Sequence, residues 1–323
     1  MEKNTLKKFD YKGIHIISVP TFEKKSLNAV VYAFLATWKA VLGKFDVIHY
    51  HAEGPCAMLP IAKLFGKHTV ATIHGLDWQR AKWGGFATKF LLFGEKMAAK
   101  YADEVIVLSK GVQQYFREVY GRETKYIPNG ITKPQKHSAK LITEKYGLQG
   151  QDYILFLARL VPEKGLHYLI EAYSKIETDK KLVIAGGSSH SDDYIEQIKN
   201  MVAKDKRIIM TGFVEGVELQ ELYSNCFLYV LPSDIEGMPI SLLEAMSYGC
   251  QCLVSDITEN LEVVGDKAMS FHKEDVEDLR EKLVGLLEKQ EIDQNKRTEI
   301  QNFVLQRFNW DSIVEQTLEL YSY

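Results

Sequence analysis

The chain alternates short apolar segments with amphipathic segments whose apolar residues recur at helical spacing. This alternation is typical of parallel β-sheets that are covered by helices on both faces. In the first half the pattern predicts strands at 13–19, 46–51, 68–73, 104–108 and 124–127. In the second half it predicts strands at 153–157, 181–185, 207–211, 227–231 and 252–255, and a helical tail over 276–323. Helices are predicted between the strands.

A polar connector at 132–140, with Pro134 and several lysines, is the best domain boundary in the chain. It predicts an N-terminal domain at 1–135, a C-terminal domain at 136–305 and a final helical segment at 306–323. Both domains have the alternation of a Rossmann-like parallel sheet, so we expect ligands at the carboxyl ends of the strands.

Length and composition limit the classes of protein to consider. A chain of 323 residues suits two domains, and 46% hydrophobic with 26% charged residues is typical of a soluble globular protein. A net charge of −3 gives no electrostatic reason to expect a nucleic-acid partner. The four cysteines lack the spacing of a zinc site, and neither a secretion signal nor a membrane-spanning run is evident. We therefore expect a cytoplasmic protein, or at most one peripheral to the inner face of a membrane.

The stretch 233–249, SDIEGMPISLLEAMSYG, contains the main candidate ligand-binding residues of the chain. A predicted strand precedes it, Pro239 lies near the first helical position, and the apolar residues that follow keep helical spacing. A helix start after a glycine-containing loop is a ready anion site. Glu236 then lies in the loop and Glu244 inside the helix, where an unpaired carboxylate is costly and could be kept for ligand hydroxyl groups. The alternative is that Glu236 caps the helix and Glu244 forms a structural ion pair.

The residues of this stretch resemble a known signature. Glu236 and Glu244, with the Gly-Met-Pro run after the first, the Ala-Met pair after the second and the final Gly249, resemble the E-x7-E motif of retaining glycosyltransferases of the GT-B fold, family 4. The chain looks most like bacterial cell-surface polysaccharide glycosyltransferases. The resemblance implies an α/β fold with two Rossmann-like domains facing a cleft. It also implies that Glu244 holds the nucleotide ribose and that Glu236 contacts the donor sugar.

The activity that the resemblance implies is transfer of a hexosyl or deoxyhexosyl group from a nucleotide-diphosphate sugar to a glycan or lipid-linked glycan acceptor. Retention of anomeric configuration is expected, with no metal and no cofactor besides the donor substrate. Two alternatives stay open, a sugar-nucleotide 2-epimerase of the same architecture and a nucleotide-sugar-binding remnant with little activity.

Arg159 and Lys164 flank the turn after the predicted strand 153–157, in the run ARLVPEKG. A lysine at a helix start opposes the helix dipole, so its presence suggests an anion between them. Arg159 could bind a diphosphate through two parallel hydrogen bonds, and Lys164 could bind it as a point charge. The alternative is that both residues are solvated surface cations. By resemblance, both residues form a diphosphate clamp and count as catalytic.

Further nucleotide-binding residues are expected at strand ends. The glycine pair after strand 181–185 lets the backbone approach a ligand closely. By resemblance, the base stacks near 212–214 and the phosphates meet the loop and helix start after Glu236. The residues concerned are Gly186, Gly187, Gly212, Phe213, Val214, Gly237, Met238, Pro239 and Ile240.

His74 follows the predicted strand 68–73 and could exchange hydrogen bonds with sugar hydroxyl groups. The alternative is a structural histidine bonded to backbone; the resemblance favours a catalytic role near the donor sugar. His49 and His51 alternate along a strand, so we expect them to face opposite ways, and we predict no metal site.

A basic and aromatic stretch suggests membrane contact. Its residues are Trp78, Arg80, Lys82, Trp83, Phe86, Lys89 and Phe90. Such a surface can lie on an anionic leaflet and face a lipid-linked acceptor, but an aromatic stripe on a helix is also typical of a core.

The start of the chain departs from the family pattern. Members normally begin with a strand, a Gly-rich loop, a helix and a further strand before a segment like 13–19, whereas here only a dozen mostly polar residues precede it. We therefore expect an incomplete N-terminal domain with an exposed sheet edge at 13–19, retained nucleotide binding and poor turnover unless another segment completes the site. By resemblance, the helix in 306–323 returns to the N-terminal domain; packing on its own domain alone is the alternative.

Overall fold

The computed structural model describes residues 8–21, 25–79, 85–187, 192–288 and 293–322. The chain forms two compact units. The first consists of Met1–Ile127 with Gln316–Tyr323, and the second of Pro128–Glu315.

The first unit contains a parallel sheet of four strands in the order β3-β4-β5-β6. Its elements are β1 (Lys8–Tyr11), β2 (Ile14–Ile17), α1 (Lys25–Val41), β3 (Val47–His51), α2 (Glu53–Cys56), α3 (Leu59–Leu64), β4 (His68–Ile73), α4 (Gly85–Tyr101), β5 (Glu104–Val107), α5 (Lys110–Tyr120) and β6 (Lys125–Tyr126). The middle strands carry the core: Val70, Ile73 and Val107 are fully buried. Near-continuous apolar runs of this kind are expected where helices cover both faces of a sheet.

The expectation that 13–19 forms the first strand of this parallel sheet is wrong. Ile14–Ile17 pairs antiparallel with Lys8–Tyr11 in a two-stranded hairpin, whose register puts Tyr11 opposite Ile14. Two residues, Lys12 with φ 49° and Gly13 with φ 84°, connect the strands. Positive φ at both positions belongs to the two-residue turns that match the twist of a hairpin. Lys-Gly is a weaker turn signal than Asn-Gly, so the sequence pattern did not indicate it.

The second unit contains a parallel sheet of six strands in the order β12-β11-β10-β7-β8-β9. Its elements are α6 (Leu141–Tyr146), β7 (Tyr153–Leu157), α7 (Leu166–Ser174), β8 (Lys181–Ala185), α8 (Asp192–Val202), β9 (Ile208–Gly212), α9 (Gly216–Asn225), β10 (Leu228–Leu231), α10 (Ile240–Ser247), β11 (Cys252–Ser255), α11 (Thr258–Val264), β12 (Met269–Phe271), α12 (Val276–Leu287), α13 (Gln294–Arg307) and the start of α14 (Trp310–Glu319). The α/β class and the predicted strands are confirmed, and β12 is an additional strand that the sequence pattern did not indicate.

The order of strands in the second sheet decides which loops meet. β7 pairs with β10, although three helices and two strands separate them along the chain. Their carboxyl ends lie at the same edge because the strands are parallel. The loops after these two strands, 158–165 and 232–239, therefore become neighbours.

The last described residues pack on the first sheet. The hydroxyl of Tyr321 lies 2.6 Å from Nδ1 of His49, and Nε2 of His68 lies 2.9 Å from the carbonyl oxygen of Leu320. Residues 316–322 thus contact β3 and β4, within the unit to which they belong.

Candidate functional site

Lys164 and Glu236 meet at the carboxyl edge of the second sheet. The Lys164 Nζ lies 2.5 Å from Oε1 of Glu236, and the Ser233 hydroxyl donates to the same oxygen at 2.7 Å. The two charged side chains are only 14% and 6% exposed. The ion pair orients both groups and compensates their charges in a poorly solvated place.

The backbone holds the two loops together at this point. The Asp234 N–H donates to the carbonyl oxygen of Glu163 at 2.9 Å. Gly165 has φ +65°, and a Cβ added there would lie 1.9 Å from the carbonyl oxygen of Pro232. Only glycine therefore fits this position, and it fixes the loop that carries Lys164.

Arg159 follows β7 and is exposed. In the part of the chain that the structure describes, no hydrogen bond or ion pair involves its guanidinium group. An exposed guanidinium near a partly buried ammonium group is a donor set suited to an anion such as a diphosphate.

The helix that follows Glu236 begins one residue later than predicted. Pro239 has extended backbone angles and caps α10, whose first residue is Ile240. Gly237 and Met238 are buried in the loop, where the Asn129 N–H lies 3.0 Å from the Met238 sulfur. The first N–H groups of a helix lack partners inside it, so the start of α10 offers donors to an anion.

Glu244 lies one turn inside α10 and faces a cavity. It accepts a hydrogen bond from the Tyr223 hydroxyl at 2.9 Å, and burial raises the pKa of its carboxyl group. The cavity has a volume of about 270 Å³. Its lining combines the connector, α9 and α10: Ile131, Thr132, Pro134, Gln135, Gly216, Leu219, Gln220, Tyr223, Glu244, Ser247 and Tyr248. A carboxylate on the wall of such a cavity can accept hydrogen bonds from ligand hydroxyl groups.

The glycine and apolar positions at neighbouring strand ends have different roles. Gly186 has φ +140°, and a Cβ there would lie 1.9 Å from the carbonyl oxygen of Ala158, so this glycine is needed for the approach of two backbone segments. At Gly187 an added Cβ would make only ordinary contact with Phe213, which is itself exposed, while Val214 is buried. Gly212 has φ +75° with open space around it.

In the first unit, His74 follows β4 and lies beside His51. Nε2 of His74 is 3.1 Å from Nδ1 of His51. The expectation that His49 and His51 face opposite ways is wrong, because residues two apart on a strand lie on the same face. Their rings stack with centroids 4.2 Å apart. Among the described residues, no group of three or more His, Cys, Asp or Glu is arranged to hold a metal ion.

Sequence reasoning missed Glu53, which is fully buried directly after β3. Its Oε1 accepts a hydrogen bond from the Asp77 N–H at 2.9 Å, and so connects α2 to the loop after His74. Burial raises the pKa of this carboxyl group to about 8, and the nearby charges of Asp77 and Glu95 act in the same direction. Its position at the carboxyl end of a parallel strand is the signal that could have found it.

The basic and aromatic stretch is only partly described. Arg80, Lys82 and Trp83 lie outside the described residues. The Trp78 indole donates to Oε2 of the buried Glu95 at 3.0 Å, so this aromatic residue is anchored inside the unit. Phe86 is 72% exposed at the start of α4, while Phe90 is partly buried. No described helix combines the length and the apolarity needed to cross a bilayer.

Two family profiles match the sequence. That of the glycosyl transferases group 1 matches residues 138–303, and that of Glycosyltransferase Family 4 matches residues 3–133. The family resemblance of the E-x7-E stretch is thereby confirmed.

Curated relatives are glycosyltransferases. The chain is 27% identical over 301 residues to an uncharacterised glycosyltransferase of Methanocaldococcus jannaschii, and the alignment covers 86% of this chain and 75% of that protein. It is 27% identical over 186 residues to the O-antigen chain mannosyltransferase B of Escherichia coli, covering 56% of this chain and 48% of the relative. This chain thus matches about half the length of that mannosyltransferase.

Solved structures share the fold. The chain superposes on Anabaena HepE, crystallised with UDP and glucose, with a TM-score of 0.80 at 20% identity, covering 92% of this chain and 83% of that one. The sucrose-phosphate synthase of Thermosynechococcus elongatus gives a TM-score of 0.85 at 20% identity, covering 98% and 85%. The expected GT-B fold is confirmed.

Proposed function

The chain belongs to the glycosyl transferases group 1 family and is a glycosyltransferase of GT-B type; from this premise, we propose that it transfers a sugar from a nucleotide-diphosphate donor to a glycan or lipid-linked glycan acceptor with retention of configuration. The observation that carries this proposal is the arrangement at one sheet edge of Arg159, the Lys164–Glu236 pair and the helix start of α10.

Each residue has a stated role in the proposal. Arg159 and Lys164 bind the diphosphate and stabilise the negative charge that develops when it leaves. Glu236, held by Lys164 and Ser233, orients the donor sugar. Glu244 binds the ribose hydroxyl groups from the wall of its cavity, and the base lies near 212–214. The first unit serves the acceptor, and His74 binds a sugar hydroxyl group.

The reaction balances without a further cofactor. The bond between the anomeric carbon and the phosphate oxygen breaks, and the anomeric carbon bonds the acceptor oxygen on the same face. The acceptor proton passes to the departing phosphate oxygen. The residues of the site need only orient donor and acceptor and stabilise the negative charge on the departing diphosphate. Orientation and electrostatic stabilisation are the largest contributions that a preorganised site can make.

The names of relatives support the donor and acceptor classes. HepE was crystallised with UDP, with UDP and glucose, and with UDP-glucose. Relatives named as mannosyltransferases of O-antigen chains, and an Escherichia coli galactosyltransferase named for UDP-Gal and a diphosphoundecaprenol-linked acceptor, support a glycan or lipid-linked acceptor. We also propose peripheral contact of the first unit with an anionic membrane, supported by the exposed Phe86 and the exposed Lys89 on α4.

Calorimetry with UDP and GDP in the presence of EDTA tests the diphosphate clamp. We expect Arg159→Ala to weaken nucleoside diphosphate binding by roughly 1.5–3 kcal/mol, the range for a hydrogen bond to a charged group. Arg280→Ala is the matched control, since Arg280 is also in the second unit but pairs with Glu277 on α12. Equal affinity of the parent and Arg159→Ala for nucleoside diphosphate would show that Arg159 does not bind the diphosphate.

A further inference from the structure

The wall of the cavity beside Glu244 contains a second hydrogen-bonding side chain, Tyr248, which the proposed function leaves without a role. Tyr248 ends α10 and lies four residues after Glu244, so both side chains are on one face of the helix. Tyr248 is only 5% exposed. In the part of the chain that the structure describes, no hydrogen bond involves its hydroxyl group. A phenol that is buried beside a cavity without a partner indicates a ligand that binds its hydroxyl group.

Tyr223 on α9 fixes both of these side chains. Its hydroxyl donates to Oε2 of Glu244 at 2.9 Å and lies 3.2 Å from the carbonyl oxygen of Ser241. Its ring stacks on the ring of Tyr248, with centroids 5.3 Å apart and an angle of 18° between the planes. Tyr223 is itself buried, and its carbonyl oxygen accepts from the Cys250 thiol at 3.1 Å. Among the described residues, no hydrogen bond involves Oε1 of Glu244, the other carboxylate oxygen.

The protonation states make Glu244 an acceptor and Tyr248 a donor. Burial raises the pKa of Glu244, and the hydrogen bond from Tyr223 opposes that rise because it stabilises the carboxylate. Burial, followed by the charge of Glu244, raises the pKa of Tyr248 to about 12, so its phenol keeps its proton at neutral pH. Burial also raises the pKa of Tyr223 and of Tyr229 on β10, the other titratable side chains that act on Glu244 from neighbouring described elements. Of these four groups, only Glu244 therefore changes its charge below neutral pH.

We propose that Tyr248 is a further ribose-binding residue: its hydroxyl donates to one of the two neighbouring ribose hydroxyl groups, Oε1 of Glu244 accepts from the other, and Tyr223 is the positioning residue for both. This inference rests on the proposed function, which assigns the ribose to Glu244. A pair of neighbouring hydroxyl groups suits this donor and this acceptor because each hydroxyl can both donate and accept.

The remaining wall of the cavity favours a neutral ligand over a charged one. No lysine or arginine is among its described lining residues, so a phosphate would meet the Glu244 carboxylate without a compensating cation. An ammonium group can only donate, so it would leave the Tyr248 hydrogen without an acceptor. Thr132, Gln135 and Gln220 add neutral polar groups to the wall. These features fit an uncharged group with several hydroxyls, such as a ribose.

Calorimetry with nucleotides that differ only in their ribose hydroxyl groups tests the inference in the full chain. The probes are UDP and GDP, their 2′-deoxy forms and their 2′,3′-dideoxy forms, all in the presence of EDTA. We expect the parent to bind the dideoxy forms at least about tenfold more weakly than the ribonucleotides, because the hydrogen bonds to Glu244 and Tyr248 are lost. The 2′-deoxy forms assign the two hydroxyl groups to the two residues.

The variant Tyr248→Phe keeps the ring that stacks on Tyr223 and removes the hydroxyl. We expect it to bind UDP and GDP about fivefold to tenfold more weakly than the parent. The dideoxy forms should bind the variant and the parent equally, which also shows that the variant is folded. Tyr146→Phe is the matched control, since the Tyr146 hydroxyl binds a carboxylate oxygen of Glu218 in the same unit but outside the cavity. It should leave all affinities unchanged.

The variant Tyr223→Phe tests the positioning role through the pH dependence of binding. Without the donated hydrogen bond the pKa of Glu244 should rise further, because its carboxylate is less stabilised. As pH is lowered, ribonucleotide binding by the variant should therefore weaken at a higher pH than binding by the parent. The dideoxy forms carry the same diphosphate and should keep the pH profile of the parent. An equal loss of affinity for both kinds of nucleotide, with no movement of the profile, would exclude the positioning role.

Three results would overturn the assignment of Tyr248: equal affinity of the parent for ribonucleotides and dideoxy forms, tighter binding of the deoxy forms, or unchanged ribonucleotide affinity in Tyr248→Phe. Each of them leaves nucleotide binding itself in place, so the proposed function would survive. Failure of the parent to bind any of the nucleotides contradicts the proposed function, and the inference that rests on it would be rejected with it.

Discussion

At the scale of single residues, the first unit combines backbone strain with a buried carboxyl group in the two residues that follow His51. Ala52 adopts backbone angles that cost about 1–3 kcal/mol for a residue with a Cβ. Glu53, the next residue, is fully buried, and its Oε2 has no hydrogen-bond partner among the residues that the structure describes. Proteins retain such destabilising features where function depends on the local geometry.

Replacing Ala52 by glycine should stabilise the protein. Glycine adopts φ 69° without strain, and its extra freedom in the unfolded chain offsets only part of the gain. We expect a net increase in the free energy of unfolding of about 1 kcal/mol, measured by urea denaturation. The control Ala99→Gly, inside α4, should lower it by about the same amount. Similar losses in both variants would contradict the assigned strain.

Glu53 should make stability fall as pH rises. Its folded pKa of about 8 lies above the ordinary value of 4.5, so the folded state holds a proton that the unfolded chain releases between these values. Stability is therefore lost with increasing pH in that window, at most about 1.4 kcal/mol per pH unit. We expect Glu53→Gln, which stays uncharged, to gain stability relative to the parent from pH 5 to 8 in denaturation midpoints.

The control for that series is Glu118→Gln, in an exposed carboxylate of α5. Its difference from the parent should stay constant over the same pH range. A constant difference for Glu53→Gln as well would mean that Glu53 is ionised throughout.

Short motifs after predicted strands indicated which residues lie at strand ends, whereas contacts that depend on the order of strands in the sheet could not be predicted. Lys164 and Glu236 were each expected at a ligand site, but their ion pair depends on β7 lying beside β10, which no local pattern encodes. The error over His49 and His51 was one of geometry, since spacing of two on a strand predicts a shared face.

At the scale of elements, strands that are buried on both faces were the easiest to predict. β4, β7, β8 and β11 match the predicted bounds because their apolar runs are continuous. β12 has three residues at the edge of its sheet, with one of them exposed, and therefore lacks such a run. The segment between the predicted strands at 46–51 and 68–73, where a helix was predicted, contains two short helices, α2 and α3, because the chain turns after Cys56 next to α4.

The crossing of α2 and α4 depends on Gly94. A Cβ at this position would lie 1.9 Å from the carbonyl oxygen of Glu53. We expect Gly94→Ala to lower the free energy of unfolding by at least about 1–3 kcal/mol, although alanine is the better helix former. Gly285→Ala, in α12 with open space around it, should raise stability by up to about 1 kcal/mol. Thermal unfolding of both variants checks the opposite signs; stabilisation by both would exclude the close crossing.

At the scale of the whole molecule, the structure assigns 316–322 to the first unit, and α14 is divided between the two units at 315. The sequence placed the boundary within the polar connector from its composition, although the first unit ends earlier, at Ile127. The contacts of Tyr321 and Leu320 with β3 and β4 join residues more than 250 positions apart. Contacts over such separations cannot be read from local patterns.

Membrane contact belongs to this scale, since it concerns which surface of the molecule faces the lipid. Neutralising Arg80, Lys82 and Lys89 together should reduce sedimentation with anionic liposomes, and added salt should reduce binding by the parent protein. Neutralising Lys199, Lys204 and Lys206, exposed lysines of the second unit, is the matched control. Equal loss in both triple variants would indicate attraction by overall charge without a docking surface.

The return of 316–322 to the first sheet has a consequence for biosynthesis. During translation the N-terminal unit emerges first, and domains generally begin to fold in that order. Here His49 and His68 receive their partners Tyr321 and Leu320 only after the entire second unit has been made. The unit that is synthesised first is therefore completed last, and the second ring nitrogen of His49 gains its partner only when translation has passed Tyr321.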